Sequence, residues 1–265
     1  MEKELLSAEE LWRGYLTDDK AQEQSRHLFG LLPSNPRCKL CNAPFKGIGG
    51  AVVKVLFGKT ASRGNPNFCN TCEQFAVEHP GGAEIELTML FADVRGSTTL
   101  AEKMSASEFT RLMNRFYATA NDILIKTDAY IDKMVGDEVI GMFIPRFSGK
   151  DHARKAILAA NDLLLATGHG RKEGPWVPVG VGVYTGTVYY GTVGSAEQVT
   201  SITAMGDGVN ITARLASVAA KGEILIGEDT YRAAGLSLGN PERRLLELKG
   251  KNESVPVIVM RVAPE

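Results

Sequence analysis

All four cysteines of this 265-residue chain fall in its first 72 positions, as Cys38-x-x-Cys41 and Cys69-x-x-Cys72 with 27 residues between the pairs. Residues 36–82 are rich in Pro, Gly and Asn and show no clear hydrophobic period. A stretch of that kind buries too little apolar surface to fold alone and needs a staple. Two C-x-x-C knuckles supply one, because four thiolates suit a tetrahedral ion: zinc by default, an iron–sulfur cluster as the alternative. Asn42, directly after the second thiolate, tolerates the left-handed backbone that a knuckle turn needs. Residues 36–72 carry six basic side chains (Arg37, Lys39, Lys46, Lys54, Lys59, Arg63) and no acid. That charge offsets the formal charge of about −2 on a four-thiolate zinc site. A plain structural staple and a redox- or metal-sensing module both remain open. Nucleic-acid binding is disfavoured, since only Phe45, Phe57 and Phe68 interleave the basic residues.

The rest of the chain is ordinary by composition, with 44% hydrophobic and 23% charged residues and a formal net charge of −1. This argues against disorder and against a chain built to coat nucleic acid. No window approaches the apolar length needed to span a bilayer, and the charged N-terminus lacks the apolar core of a secretory signal. A cytoplasmic location follows as the expectation. Residues 1–35 read as an N-terminal helical segment, with Ser7 and Glu10 forming an S-x-x-E capping box and a second helix expected over 18–31. Packing helices or a docking element for a partner both fit that segment. Residues 36–82 form the four-cysteine module, closing on the linker His79-Pro80-Gly81-Gly82, and 83–265 form the third unit.

From Glu84 the pattern alternates between strands and helices. Leu87–Val94 reads as a strand, and residues 97–125 carry helical spacing that the element order β-α-α-β-β-α-β-β-α-β divides between two helices. Tyr130–Val135 and Glu138–Ile144 read as a hairpin across Gly136-Asp137, and Asp151–Thr167 as an amphipathic helix. Val177–Tyr184 and Thr187–Val193 read as a second hairpin, followed by a helix over 209–220 and closing strands. The order predicts an α+β fold, with helices covering a largely antiparallel sheet.

Two carboxylates stand out by position. Asp93 ends an apolar strand and precedes Arg95-Gly96-Ser97-Thr98, while Asp137 sits at a hairpin tip. Backbone N–H groups at a helix start beside Gly96, Ser97 and Thr98 suit phosphate, and carboxylates beside them suit Mg²⁺ shared with that phosphate. Asn210 and Arg214 lie four residues apart, so they share one helix face and present an amide and a guanidinium side by side.

The runs F-A-D-V-R-G-S-T, K-M-V-G-D and T-A-M-G-D-G-V-N-I-T-A-R-L resemble the signature segments of the class III nucleotidyl cyclases, and G-V-G-V-Y-T-G-T-V-Y-Y-G resembles the family's glycine-rich hairpin. The resemblance covers residues 84–262. It implies a ferredoxin-like, palm-type sheet and the conversion of ATP to 3′,5′-cyclic AMP and pyrophosphate. It further implies that Asp93 and Asp137 hold two Mg²⁺ or Mn²⁺ ions and that Lys133 and Thr203 select the purine. Asn210 then orients the ribose, Arg214 meets the transition state, and Lys249 neutralises the triphosphate. Thr203 stands where many members carry Asp, as in the bicarbonate-responsive adenylyl branch. The family divides its metal aspartates and its Asn/Arg set between two subunits, so the resemblance implies a head-to-tail homodimer. Tyr184 and Thr187 depart from the His and the acidic residue usual in the hairpin. A guanylyl or other nucleotidyl cyclase, or a non-catalytic nucleotide- or metal-sensing protein of this fold, are the alternatives.

Overall fold

The strand Gly82–Val94 (β1) is apolar along nearly its whole length because both of its faces are covered. Alternate residues divide between two cores. Leu90, Ala92 and Val94 join one cluster, and Ile85, Leu87, Met89 and Phe91 join another on the opposite face. The computed structural model describes residues 7–17, 23–62, 68–194, 201–248, 250 and 253–263.

β1 is central in an eight-stranded sheet formed with Tyr130–Val135 (β2), Glu138–Phe143 (β3), Val179–Val193 (β4), Ser201–Met205 (β5), Glu223–Gly227 (β6), Glu242–Leu246 (β7) and Val255–Arg261 (β8). The order is β2-β3-β1-β4-β6-β8-β7, with β5 folded back on β4. Every pairing is antiparallel except β4 with β6. The expected α+β class with a largely antiparallel sheet is what forms.

Ahead of the sheet lie Ala8–Thr17 (α1), Glu23–Gly30 (α2), Gly47–Phe57 (α3) and Asn70–Glu78 (α4). Within the sheet's span lie Ser97–Lys103 (α5), Ala106–Lys126 (α6), Pro145–Ser148 (α7), His152–Ala166 (α8), Asp207–Val218 (α9) and Glu228–Ala234 (α10). α6 and α8 cover one face through Phe116, Leu124, Ile157 and Leu163. α1 and α9 cover the other through Trp12, Leu16 and Ala216. The capping box read at the start of α1 is present, with Glu10 N–H donating to Ser7 Oγ at 3.2 Å and Ser7 N–H to Glu10 Oε2 at 2.8 Å.

Two sequence expectations are corrected, and the division of the stretch over 97–125 into two helices holds, because Ser105 and Glu108 form a second capping box that starts α6 afresh. The glycine-rich hairpin is one continuous strand: Thr185 and Gly186, read as its turn, pair with Thr88 and Leu87 of β1. The hairpin here is β4–β5, closed by Val193 opposite Ser201. The cysteine stretch, read without regular elements, holds α3 and α4. Its glycines are close-approach positions: a Cβ on Gly49 would lie 2.0 Å from the Pro33 carbonyl oxygen, and one on Gly50 would lie 2.5 Å from the Phe45 carbonyl carbon.

Residues 79–82 are pinned on two sides. The Trp12 indole donates to the His79 carbonyl at 2.8 Å, and Thr192 N–H donates to the Gly81 carbonyl at 2.7 Å.

The glycines of β4 seat α9. A Cβ on Gly182 would lie 2.5 Å from the Ala216 nitrogen and 2.7 Å from the Thr212 carbonyl oxygen, both backbone atoms. Gly182→Ala should therefore push α9 off the sheet and cost about 1–3 kcal/mol, read from the urea midpoint. An unchanged midpoint would show that the helix relaxes without strain.

Candidate active site

Asp93 ends β1 opposite Glu138, the first residue of β3. Val94 N–H donates to the Asp137 carbonyl at 3.1 Å, which fastens the hairpin tip to the end of β1. Gly136 takes the positive φ, +64°, that this corner needs, and the Tyr117 hydroxyl of α6 donates to its carbonyl. Three carboxylates, Asp93, Asp137 and Glu138, thus crowd one sheet edge. Arg95 forms an ion pair with Asp93 and also donates to the Ser217 carbonyl of α9 at 2.6 Å.

Burial raises the Asp93 pKa, opposed by Arg95 and assisted by the charge of Asp137. Burial and the same two aspartates push Glu138 up to about 7. Excess carboxylate charge on hard oxygen donors fits a divalent cation such as Mg²⁺. Gly96, with φ +68°, is itself the N-cap of α5 in place of the expected Ser/Thr cap. Its lack of a capping side chain leaves the N–H groups near Ser97 and Thr98 without that partner.

Lys133 is exposed on β2, and its neighbour Asp132 lies where the β2–β3 register slips between Ile131 and Lys133. Thr203 of β5 is only 8% exposed, and its hydroxyl donates to Asp132 Oδ2 at 3.0 Å. The two strands that carry Lys133 and Thr203 are thereby joined, although they do not pair in the sheet. Asn210 and Arg214 both lie exposed on α9, as their spacing predicts. Lys249 lies outside the described residues.

Cys38, Cys41, Cys69 and Cys72 are buried, with sulfur atoms all within 4.8 Å of one another. Cys41 and Cys69 sulfurs are 3.7 Å apart. A single tetrahedral ion with metal–sulfur bonds of about 2.3 Å sets its thiolates about 3.8 Å apart. A multi-iron cluster would spread them further. Asn42 has φ +64°, the left-handed turn read from the knuckle. Cys69 N–H points at Cys38 Sγ and Cys72 N–H at Cys69 Sγ, each at 3.4 Å. Hydrogen bonds from Cys38, Cys41 and Cys72 hold the Cys69 thiol far below its ordinary pKa.

The cluster is pressed against the sheet. Lys39, inside the first knuckle, pairs with Asp128 at 2.5 Å, two residues before β2. Phe68, beside the second knuckle, packs on Tyr130 of β2 and on Phe147 of α7, with ring centroids 5.7 and 4.6 Å away. The Tyr15 hydroxyl donates to the Cys72 carbonyl. Asp132, Glu138 and Asp128 were not singled out by the sequence reading, and Phe68 was noted only as an aromatic among the basic residues. Asp132 alone left a trace there, as a carboxylate directly before Lys133 in an otherwise apolar strand.

Residues 83–260 match the family model described as the adenylate and guanylate cyclase catalytic domain, and the chain belongs to that family. An adenylate cyclase of Anabaena cylindrica is 30% identical over 196 residues, covering 68% of this chain and 38% of that protein. A terminal-differentiation-specific adenylate cyclase of Dictyostelium discoideum is 30% identical over 179 residues, covering 64% and 8%. This chain thus spans well under half the length of those relatives. Among solved structures, the guanylyl cyclase Cya2 superposes with a TM-score of 0.62 at 27% identity, over 70% of this chain and 96% of that one. The adenylyl cyclase CyaB from P. aeruginosa superposes at 0.59 and 27%, over 67% and 94%. Among the described residues no helix is long and apolar enough to cross a membrane.

Proposed function

We propose that this chain is an adenylyl cyclase that converts ATP to 3′,5′-cyclic AMP and pyrophosphate at a homodimer interface. The observation that carries the reading is the fastening of Asp137 to the end of β1 beside Asp93, which builds a carboxylate site at the sheet edge. Asp93 and Asp137 would hold two Mg²⁺ or Mn²⁺ ions, which when bound acidify the ribose 3′-hydroxyl and offset phosphate charge. The 3′-oxygen attacks the α-phosphorus, its proton is lost, and pyrophosphate leaves. Arg214 presents a planar cation to the developing charge, and Asn210, one turn earlier, holds the ribose. Lys133 and Thr203 face the base, and Lys249 meets the triphosphate.

Likeness to an adenylyl and to a guanylyl cyclase at equal identity makes GTP the competing substrate. The four nucleoside triphosphates, offered singly to the purified full chain with Mn²⁺ or Mg²⁺, separate the readings. Cyclic AMP should dominate, and Lys133→Ala should lower kcat/KM for ATP about ten-fold or more. Cyclic GMP as the main product would transfer the assignment to a guanylyl enzyme. Binding of ATP with no product from any nucleotide would leave a non-catalytic sensor.

The four cysteines are proposed to hold one zinc ion, supported by the sulfur spacing. The module is proposed to act on catalysis through the start of β2. The Lys39–Asp128 pair and the Phe68–Tyr130 contact support that route, because β2 continues into Lys133 and Asp137.

A further inference from the structure

Asp132 plays no part in the mechanism above, yet it is held in a specific place. The register slip between Ile131 and Lys133 leaves it in a bulge, and its carboxylate turns toward β5 while Lys133 stays exposed. Thr203 is opposite Gly191 on β4 and is only 8% exposed, so its side chain is enclosed between β4 and β2. Its hydroxyl donates to Asp132 Oδ2 at 3.0 Å, and Asp132 Oδ1 is buried without a hydrogen-bond partner among the described residues.

A hydroxyl carries one proton and two lone pairs, whereas an ionised carboxylate only accepts. The Thr203 proton is therefore committed to Asp132, and toward any other group Thr203 Oγ1 can only accept. Resting on the reading that Thr203 faces the base, we infer that Asp132 is a specificity-determining positioning residue that fixes Thr203 as an acceptor and so favours a 6-amino purine over a 6-oxo purine. The adenine amino group donates. The guanine 6-oxygen accepts and would meet two lone pairs with no proton between them. Asp132 and Thr203 together supply the acceptor that one carboxylate at position 203 would supply alone.

The test is the ratio of kcat/KM for ATP to that for GTP in the full chain, with melting temperature measured alongside. Asp132→Leu removes the acceptor and frees the Thr203 hydroxyl proton. The ratio should fall about ten-fold, mainly through KM for ATP. Thr203→Ser, which keeps the hydroxyl, should stay within about two-fold of the wild type, while Thr203→Val should lose the preference. If Asp132→Leu lowers the melting temperature or both activities equally and leaves the ratio unchanged, the pair only ties β5 to β2 and the inference fails. If Thr203→Val also leaves the ratio unchanged, Thr203 does not face the base and the underlying reading fails instead. Should Asp132→Leu not fold, the wild-type protein still decides. Purine riboside triphosphate, which lacks the 6-amino group, should react about ten-fold less efficiently than ATP, and equal efficiency would overturn the acceptor role.

Discussion

Neither Asp93→Ala nor Arg214→Ala should turn over ATP at a rate above about a thousandth of the wild type, and a co-expressed mixture of the two should regain activity. Asp93 is a proposed metal ligand, so its loss removes charge stabilisation at both the attacking and the leaving oxygen. Arg214 is an exposed cation on α9, proposed to meet the charge that develops on the phosphates. Both sets lie on one chain. If each site draws its carboxylates from one subunit and Asn210 and Arg214 from the other, a mixed dimer keeps one intact site of two. Random pairing then yields about a quarter of wild-type activity. Circular dichroism and the melting temperature should match the wild type for both variants, because neither change opens a cavity in the core. Full activity of either single variant would remove that residue from the site. A mixture that stays inactive, although mass spectrometry shows mixed dimers, would refute the shared-site arrangement.

The second large effect concerns the cysteines. Cys69→Ser should abolish stoichiometric zinc and lower the melting temperature by about 10 °C or more. Structural zinc contributes of order 10 kcal/mol to domains of this kind, because the site exists only in the folded state. Here the four sulfurs form the centre of a small core with Phe29, Leu40, Val53 and Phe68, so loss of the ion leaves little to hold those side chains together. Elemental analysis together with calorimetry checks both parts. An unchanged melting temperature in a zinc-free variant would show that the module is held by packing alone. One equivalent of zinc retained by Cys69→Ser would show that this sulfur is not a ligand.

Much of the catalytic unit was legible in the sequence because its elements keep clean periods. β1, the β2–β3 hairpin, α8 and α9 each form close to where pattern and turn signals place them. Asn210 and Arg214 share their helix face for the same reason. Misreadings came where one residue type serves two purposes. Gly186 looked like a turn and instead lies within β4, paired with Leu87, while Gly49 and Gly50, in a stretch read as having no clear period, let α3 approach the preceding backbone. Neither distinction exists until the partner surface is present. The Asp132–Thr203 bond joins residues 71 positions apart on strands that do not pair, and no local pattern reports it. The contact of Phe68 with Tyr130 is hidden in the same way.

α1 touches the cysteine knuckles through Tyr15 but lends its apolar face to the sheet. Trp12 and Leu16 share a core with Ile85, Leu87 and Met89 of β1, and the Trp12 indole closes on the His79 carbonyl just before that strand. In space, the knuckles are thus an insertion between a helix and a strand that already pack together. A recombination event that replaced residues 36–78 with another cassette would leave the cyclase sheet its helical cover. One that cut at residue 82 would strip that cover away. Heritable exchange of the segment between α1 and β1 in chains built like this one should therefore respect the first boundary and avoid the second.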